Sequence, residues 1–129
     1  MKKISPPKPT DAELAILRVL WRIGPTTVRA VYEQLSGTQE IGYTTVLKLL
    51  QIMTEKGLVR RDESNRSHVY ESVFTEQQVQ RRLVGHLLDR AFGGSAQKLV
   101  LQALSAKKSS LEELAEIRRL LDELEGGKK

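Results

Sequence analysis

Thr44, Lys48, Gln51 and Glu55 fall on one side of a helical stretch whose other side is Val46, Leu49, Leu50 and Met53. A threonine hydroxyl donates, accepts or touches a thymine methyl, and a lysine reaches guanine or phosphate. Thr44 and Lys48 lie in the N-terminal half of that helix, where a recognition helix meets base edges and the amide dipole favours phosphate. Tyr43, Thr45 and Leu47 flank the polar face. Leu47, an aliphatic side chain on its shoulder, suits a thymine methyl or packing against the preceding helix. Glu55 repels phosphate, so the C-terminal end is expected to point out of a groove. A solvated face opposite an apolar stripe would look the same, because every surface helix has one.

A second set of polar groups follows. Lys56, Arg60, Arg61, Arg66 and His68 cluster over a short span, interrupted by the acidic pair Asp62 and Glu63. The span reads as two β-branched or aromatic segments around a polar tip that carries Asn65 and Arg66, a hairpin pattern. Such a tip beside a recognition helix is where a sugar-phosphate backbone would run. Charges that merely blunt an exposed strand edge are the alternative. Other chemistries have less support. With no cysteine there is no thiol nucleophile, thiolate zinc site or disulfide. The two histidines, His68 and His86, cannot form a three-histidine metal site. No glycine-rich phosphate loop or catalytic constellation is present, so an enzyme is the poorest reading, and neither metal nor cofactor is expected.

The elements that would position these groups can be read from caps and periodicity. The chain has 129 residues, 40% apolar and 29% charged, an ordinary globular balance. Its formal charge of +5, spread along the chain, is compatible with a polyanionic partner. No apolar run or leader pattern suggests a bilayer span or secretory signal, so a cytoplasmic protein is expected. Residues 1–9 are a basic, proline-rich arm expected to be flexible. Thr10 and Glu13 form a capping box ahead of Leu14, Leu17, Leu20 and Trp21, and Gly24-Pro25 ends this helix. Thr26 and Thr27 suit a very short extended segment and a cap. Val28, Val31, Tyr32 and Leu35 mark a second helix; the recognition candidate follows Gly42 and stops at Lys56-Gly57. Three helices and then a hairpin is the order of a winged helix-turn-helix.

Beyond residue 75 the pattern is helical. Thr75 and Gln78 offer another capping box, followed by Val79, Leu83, Leu87 and Ala91 in register. Gly93-Gly94 interrupts. An apolar helix over 96–104 carries Leu99 and Leu101, and a last helix from Ser109 or Ser110 carries Leu111, Leu114, Ile117, Leu121 and Leu124. Arg118 with Asp122 and Arg119 with Glu123 suit i, i+4 pairs. About 50 residues struggle to bury enough surface alone. Two tails interleaved about a two-fold axis would solve this, with Val79, Leu83, Leu87, Leu99, Leu101 and Leu121 at the contact. The predicted fold class is therefore mainly α with a small β hairpin. A winged-helix DNA-binding domain over 10–75 precedes a three-helix dimerisation domain over 76–129.

Three segments also carry a family resemblance: Thr10-Asp11-Ala12-Glu13-Leu14-Ala15-Ile16-Leu17 leading to Leu20-Trp21, Gly42-Tyr43-Thr44-Thr45-Val46, and Glu55-Lys56-Gly57-Leu58-Val59. With them the chain resembles the penicillinase repressor family (BlaI/MecI type), which includes β-lactamase, methicillin-resistance and copper-responsive repressors. The resemblance implies a homodimeric winged-helix repressor bound to an inverted-repeat operator in double-stranded DNA and released by an inducing signal. It also implies that Thr44, Thr45 and Lys48 occupy DNA-reading positions. Tyr43, Leu47, Gln51, Arg60, Arg61, Asn65, Arg66 and His68 complete the candidate interface. The copper-responsive members' cysteine motif has no counterpart here. Members of the β-lactamase type are cut by a membrane sensor protease between asparagine and phenylalanine; the corresponding bond is Gln102-Ala103. The rival reading is a winged-helix protein-interaction module that binds no DNA.

Overall fold

The computed structural model describes residues 5–64 and 66–126. The order is α1 (Asp11–Ile23), β1 (Thr26–Thr27), α2 (Val28–Ser36), α3 (Tyr43–Lys56), β2 (Val59–Asp62), β3 (Val69–Ser72), α4 (Glu76–Ala91), α5 (Ala96–Ala106) and α6 (Leu111–Gly126). Two compact units result, one up to His86 and the other from Leu87, so the division falls inside α4.

Local chemistry places the boundaries in the first unit. The Thr10 hydroxyl accepts from the Glu13 amide at 3.2 Å, and the Thr10 amide donates to the Glu13 carboxylate at 2.9 Å. Such a cap is worth about 1 kcal/mol. Thr27 caps α2 by accepting from the Ala30 amide at 3.2 Å. Gly57 ends α3 at φ 84°, the left-handed region that glycine enters without a Cβ penalty, and the Leu58 amide then donates to the Met53 carbonyl.

Thr26 and Thr27 do more than cap. They pair antiparallel with β3, Thr26 opposite Tyr70 and Thr27 opposite Val69. The expected two-stranded hairpin is thus a three-stranded sheet in the order β1-β3-β2. β3, at its centre, contributes the buried Tyr70 to the core.

Ile16, Leu17 and Leu20 of α1 meet Val28, Val31 and Leu35 of α2 and Val46, Leu50 and Met53 of α3 in that core. Trp21 fastens α1 to the segment after β3. Its indole N–H lies 3.0 Å from the Phe74 carbonyl and 3.1 Å from the Ser72 hydroxyl.

Two expectations need correction here. Val79 does not face a second chain: it is completely buried in the core of the first unit, with Leu83 packed against that core. The stripe on α4 is thus buried at Val79 and open further along, where Leu87 is 44% exposed. Nor is the described part of the N-terminal arm free. Pro6 and Pro9 are buried, and the Arg82 guanidinium donates to the Pro6 carbonyl at 3.1 Å.

In the second unit Ser95 caps α5 by accepting from the Lys98 amide. Ser110 and Glu113 form a reciprocal capping box for α6. Neither helix buries a residue within the chain. Arg119 pairs with Glu116, one turn back, in place of the expected Glu123.

Candidate nucleic-acid interface

α3 turns three kinds of surface outward. Val46, Leu50 and Met53 anchor it in the core with no exposure, which fixes the direction of every other side chain. Thr44, Thr45, Lys48 and Gln51 are all exposed, on the face expected to read base edges. Gly42 precedes α3 without any side-chain cap, so the first amides of the helix are not taken by a neighbouring hydroxyl or carboxylate.

Tyr43 and Leu47 lie on the shoulder towards α2 and the wing. Leu47 is half-buried and packs against the core. The Tyr43 ring meets Tyr32 edge-on, with centroids 5.8 Å apart and planes at 74°. On the same ring stands Arg29, its guanidinium carbon 5.4 Å from the centroid.

These groups form one wall of a cleft of about 570 Å³. Its lining includes Thr27, Arg29 and Glu33 from β1 and α2, Tyr43 and Leu47 from α3, and Arg66, Ser67 and His68 from the wing. Four expected site residues, Tyr43, Leu47, Arg66 and His68, thus meet around one space although they are drawn from separate elements. Asn65 lies outside the described residues.

The remaining cations are engaged differently. Arg60 lies 3.4 Å from Glu71, its partner across the β2–β3 ladder, and Arg61 lies 2.6 Å from Glu63. The Tyr70 hydroxyl and then Glu63 strengthen the charged form of Arg61 and raise its pKa. Neither arginine lines the cleft. Both stay available only by giving up a carboxylate, a modest cost for exposed pairs. At the wing tip the Ser64 hydroxyl and amide hold the Asp62 carboxyl below its usual range, with the amide donating at 2.9 Å.

Lys56 belongs to a different part of the molecule. Its ammonium lies 2.6 Å from the carboxylate of Glu13, a side chain only 3% exposed. It is therefore no member of the wing cluster. Arg29 and Ser67, conversely, were missed by the sequence reading. An arginine in the first turn of a helix has no distinguishing spacing, and only the α2–α3 angle brings it onto Tyr43.

Among the described residues no group of three or more histidine, cysteine, aspartate or glutamate side chains could hold a metal ion. Likewise, no helix among them is long and apolar enough to cross a membrane.

Three helices, a polar third helix with an open N-terminus and a basic wing define a winged helix-turn-helix protein. The sequence profile described as "Penicillinase repressor" matches residues 9–123, and the chain belongs to that family. It is 34% identical over 119 residues to "Transcriptional regulator BlaI" of Mycobacterium tuberculosis (strain CDC 1551 / Oshkosh), covering 91% of this chain and 85% of that protein. It is 29% identical over 129 residues to "Penicillinase repressor" of Bacillus licheniformis, covering 100% and 99%. The solution structure of the DNA binding domain of the repressor BlaI superposes with a TM-score of 0.51 at 28% identity, over 60% of this chain and 93% of that one. A solution structure of the Bacillus licheniformis BlaI monomeric form in complex with the blaP half-operator gives the same score, identity and coverage.

Proposed function

We propose that this chain is a transcriptional repressor that binds an inverted-repeat operator in double-stranded DNA as a homodimer. Thr44, Thr45, Lys48 and Gln51 on α3 read base edges in the major groove, and Arg66 and His68 on the wing hold the backbone. The run of exposed polar side chains from the head of α3 into the wing cleft carries this reading. The Bacillus licheniformis BlaI monomeric form, 28% identical to this chain, was solved in complex with the blaP half-operator, which supports it.

The second unit supports the homodimer. Leu101, Leu121 and Leu124 are each more than half exposed in a single chain. Burying what remains exposed would bring roughly half of the 1.5–3 kcal/mol that full burial of a leucine is worth. A second copy brings the same surfaces in the two-fold relation that a palindromic operator needs. Leu87, Leu99, Leu101 and Leu121 are the contact residues in this reading.

An inducing signal then frees the operator. One route is cleavage of the Gln102-Ala103 bond by a membrane sensor protease, which would separate α6 from the rest of the chain. The bond lies inside α5, so the helix must open locally before a protease can hold it extended.

Selection of genomic fragments by the purified protein tests the main statement. The bound fragments should share an inverted repeat, and affinity should fall steeply with salt as counterions are released. Binding that is flat in salt, with no shared repeat, would leave the protein-interaction module as the better reading.

A further inference from the structure

The cleft between α2 and the wing has a basic group on each side, and the two sides are built differently. On the wing side Arg66 and His68 are exposed at the tip. On the α2 side Arg29 is held in place: its guanidinium stands over the Tyr43 ring, which Tyr32 supports edge-on. A guanidinium held over an aromatic face by cation–π attraction spends none of its N–H donors on that contact, so the ring favours one position without using up hydrogen bonds. Glu33, one turn further along α2, is 4.0 Å away and lines the same cleft.

We propose that this cleft holds one DNA sugar-phosphate strand and that Arg29 is a phosphate contact positioned by the Tyr43 ring. The proposal rests on the DNA-binding reading above and adds a residue and a path to it. The strand passes with Arg29 on one side and Arg66 and His68 on the other, while the face of Thr44 and Lys48 enters the adjoining groove. A planar, donor-rich cation matches a phosphate oxygen pair in a way that lysine does not. Glu33 has the opposite part. Its carboxylate balances Arg29 in the free protein and must give way when phosphate arrives, so it weakens binding on every sequence.

The test is DNA binding by the full chain across a salt series, on a selected operator and on random DNA. The Arg29 side chain is 69% exposed, so Arg29→Ala should fold and melt like the parent chain. It should lose about tenfold in affinity on both DNAs and reduce the salt slope by about 1. Arg29→Lys should keep the slope yet lose affinity. Tyr43→Leu should weaken binding, and its loss combined with Arg29→Ala should be less than the product of the two single losses. Glu33→Gln should tighten binding to both DNAs alike. A parental slope in Arg29→Ala, with Arg66→Ala lowering the slope, would overturn this proposal and leave the DNA-binding reading standing. A parent chain whose binding ignores salt would overturn both.

Discussion

The Lys56 ammonium is 2.6 Å from the Glu13 carboxylate, which ties the last turn of α3 to the first turn of α1 across 43 positions of sequence. The same carboxylate oxygen accepts from the Thr10 amide, so one buried acid caps α1 and fixes the far end of α3. Removing Lys56 leaves that acid without its counter-charge. Lys56→Met is expected to cost about 2 kcal/mol, read from a urea titration. Its salt slope on DNA should be unchanged, because Lys56 is occupied within the protein.

A pH dependence follows from the same pair. Burial pushes the Glu13 carboxyl up, but the Lys56 ammonium and the Thr10 amide and hydroxyl outweigh it and hold the group below the ordinary 4.5. The unfolded chain therefore takes up this proton first as pH falls. Stability from Glu13 is complete above about pH 4.5 and is lost as the pH falls through the lower folded value. Urea midpoints between pH 7 and pH 3 should show that loss in the parent chain and a smaller one in Lys56→Met.

Thr44→Ala and Arg66→Ala should separate base reading from backbone holding. Thr44→Ala is expected to relax preference at one half-site position, at about 1–3 kcal/mol. Arg66→Ala should weaken all sequences alike and lower the salt slope by about 1. Competition between operator and random DNA distinguishes them, and an equal loss on both for Thr44→Ala would remove it from the base-reading set.

The helical dimer is tested by where the chain is cut. A fragment ending at Thr75 loses Val79, whose burial is worth roughly 1.5–3 kcal/mol, and is expected to be destabilised. A fragment ending at His86 keeps Val79 and Leu83 and should fold as a monomer that binds a half-site weakly. In the full chain, Leu101→Glu or Leu121→Glu should shift sedimentation from dimer towards monomer without moving the fold of the first unit. A parent chain that stays monomeric at micromolar concentration while holding its operator tightly would contradict the homodimer.

What could be read from the sequence was local. The capping boxes at Thr10 and Thr75 need only four consecutive residues, and both form as their spacing requires. The glycine stop after Lys56 is local in the same sense. The short extended segment at Thr26 was legible but its place in the sheet was not, because two residues carry no periodicity and the partner, Tyr70, is far along the chain. Lys56 looked like part of a basic run until the fold supplied Glu13. Val79 and Leu87 share a stripe, and nothing in the spacing says that one end is spent inside the first unit. In the candidate interface, the polar face of α3 followed from its apolar opposite. The placing of Arg29 over the Tyr43 ring depends on how two helices cross.

Trp21 is the chain's one tryptophan, and its indole N–H is held by the Phe74 carbonyl just before α4 begins. Its emission therefore reports on a single joint, the one that ties α1 to the segment between β3 and α4. A shift of colour or a change in quenching would register movement there during operator binding or release, with no label attached. The chain carries its own optical gauge inside the winged unit, at the seam where α1 is fastened just ahead of α4.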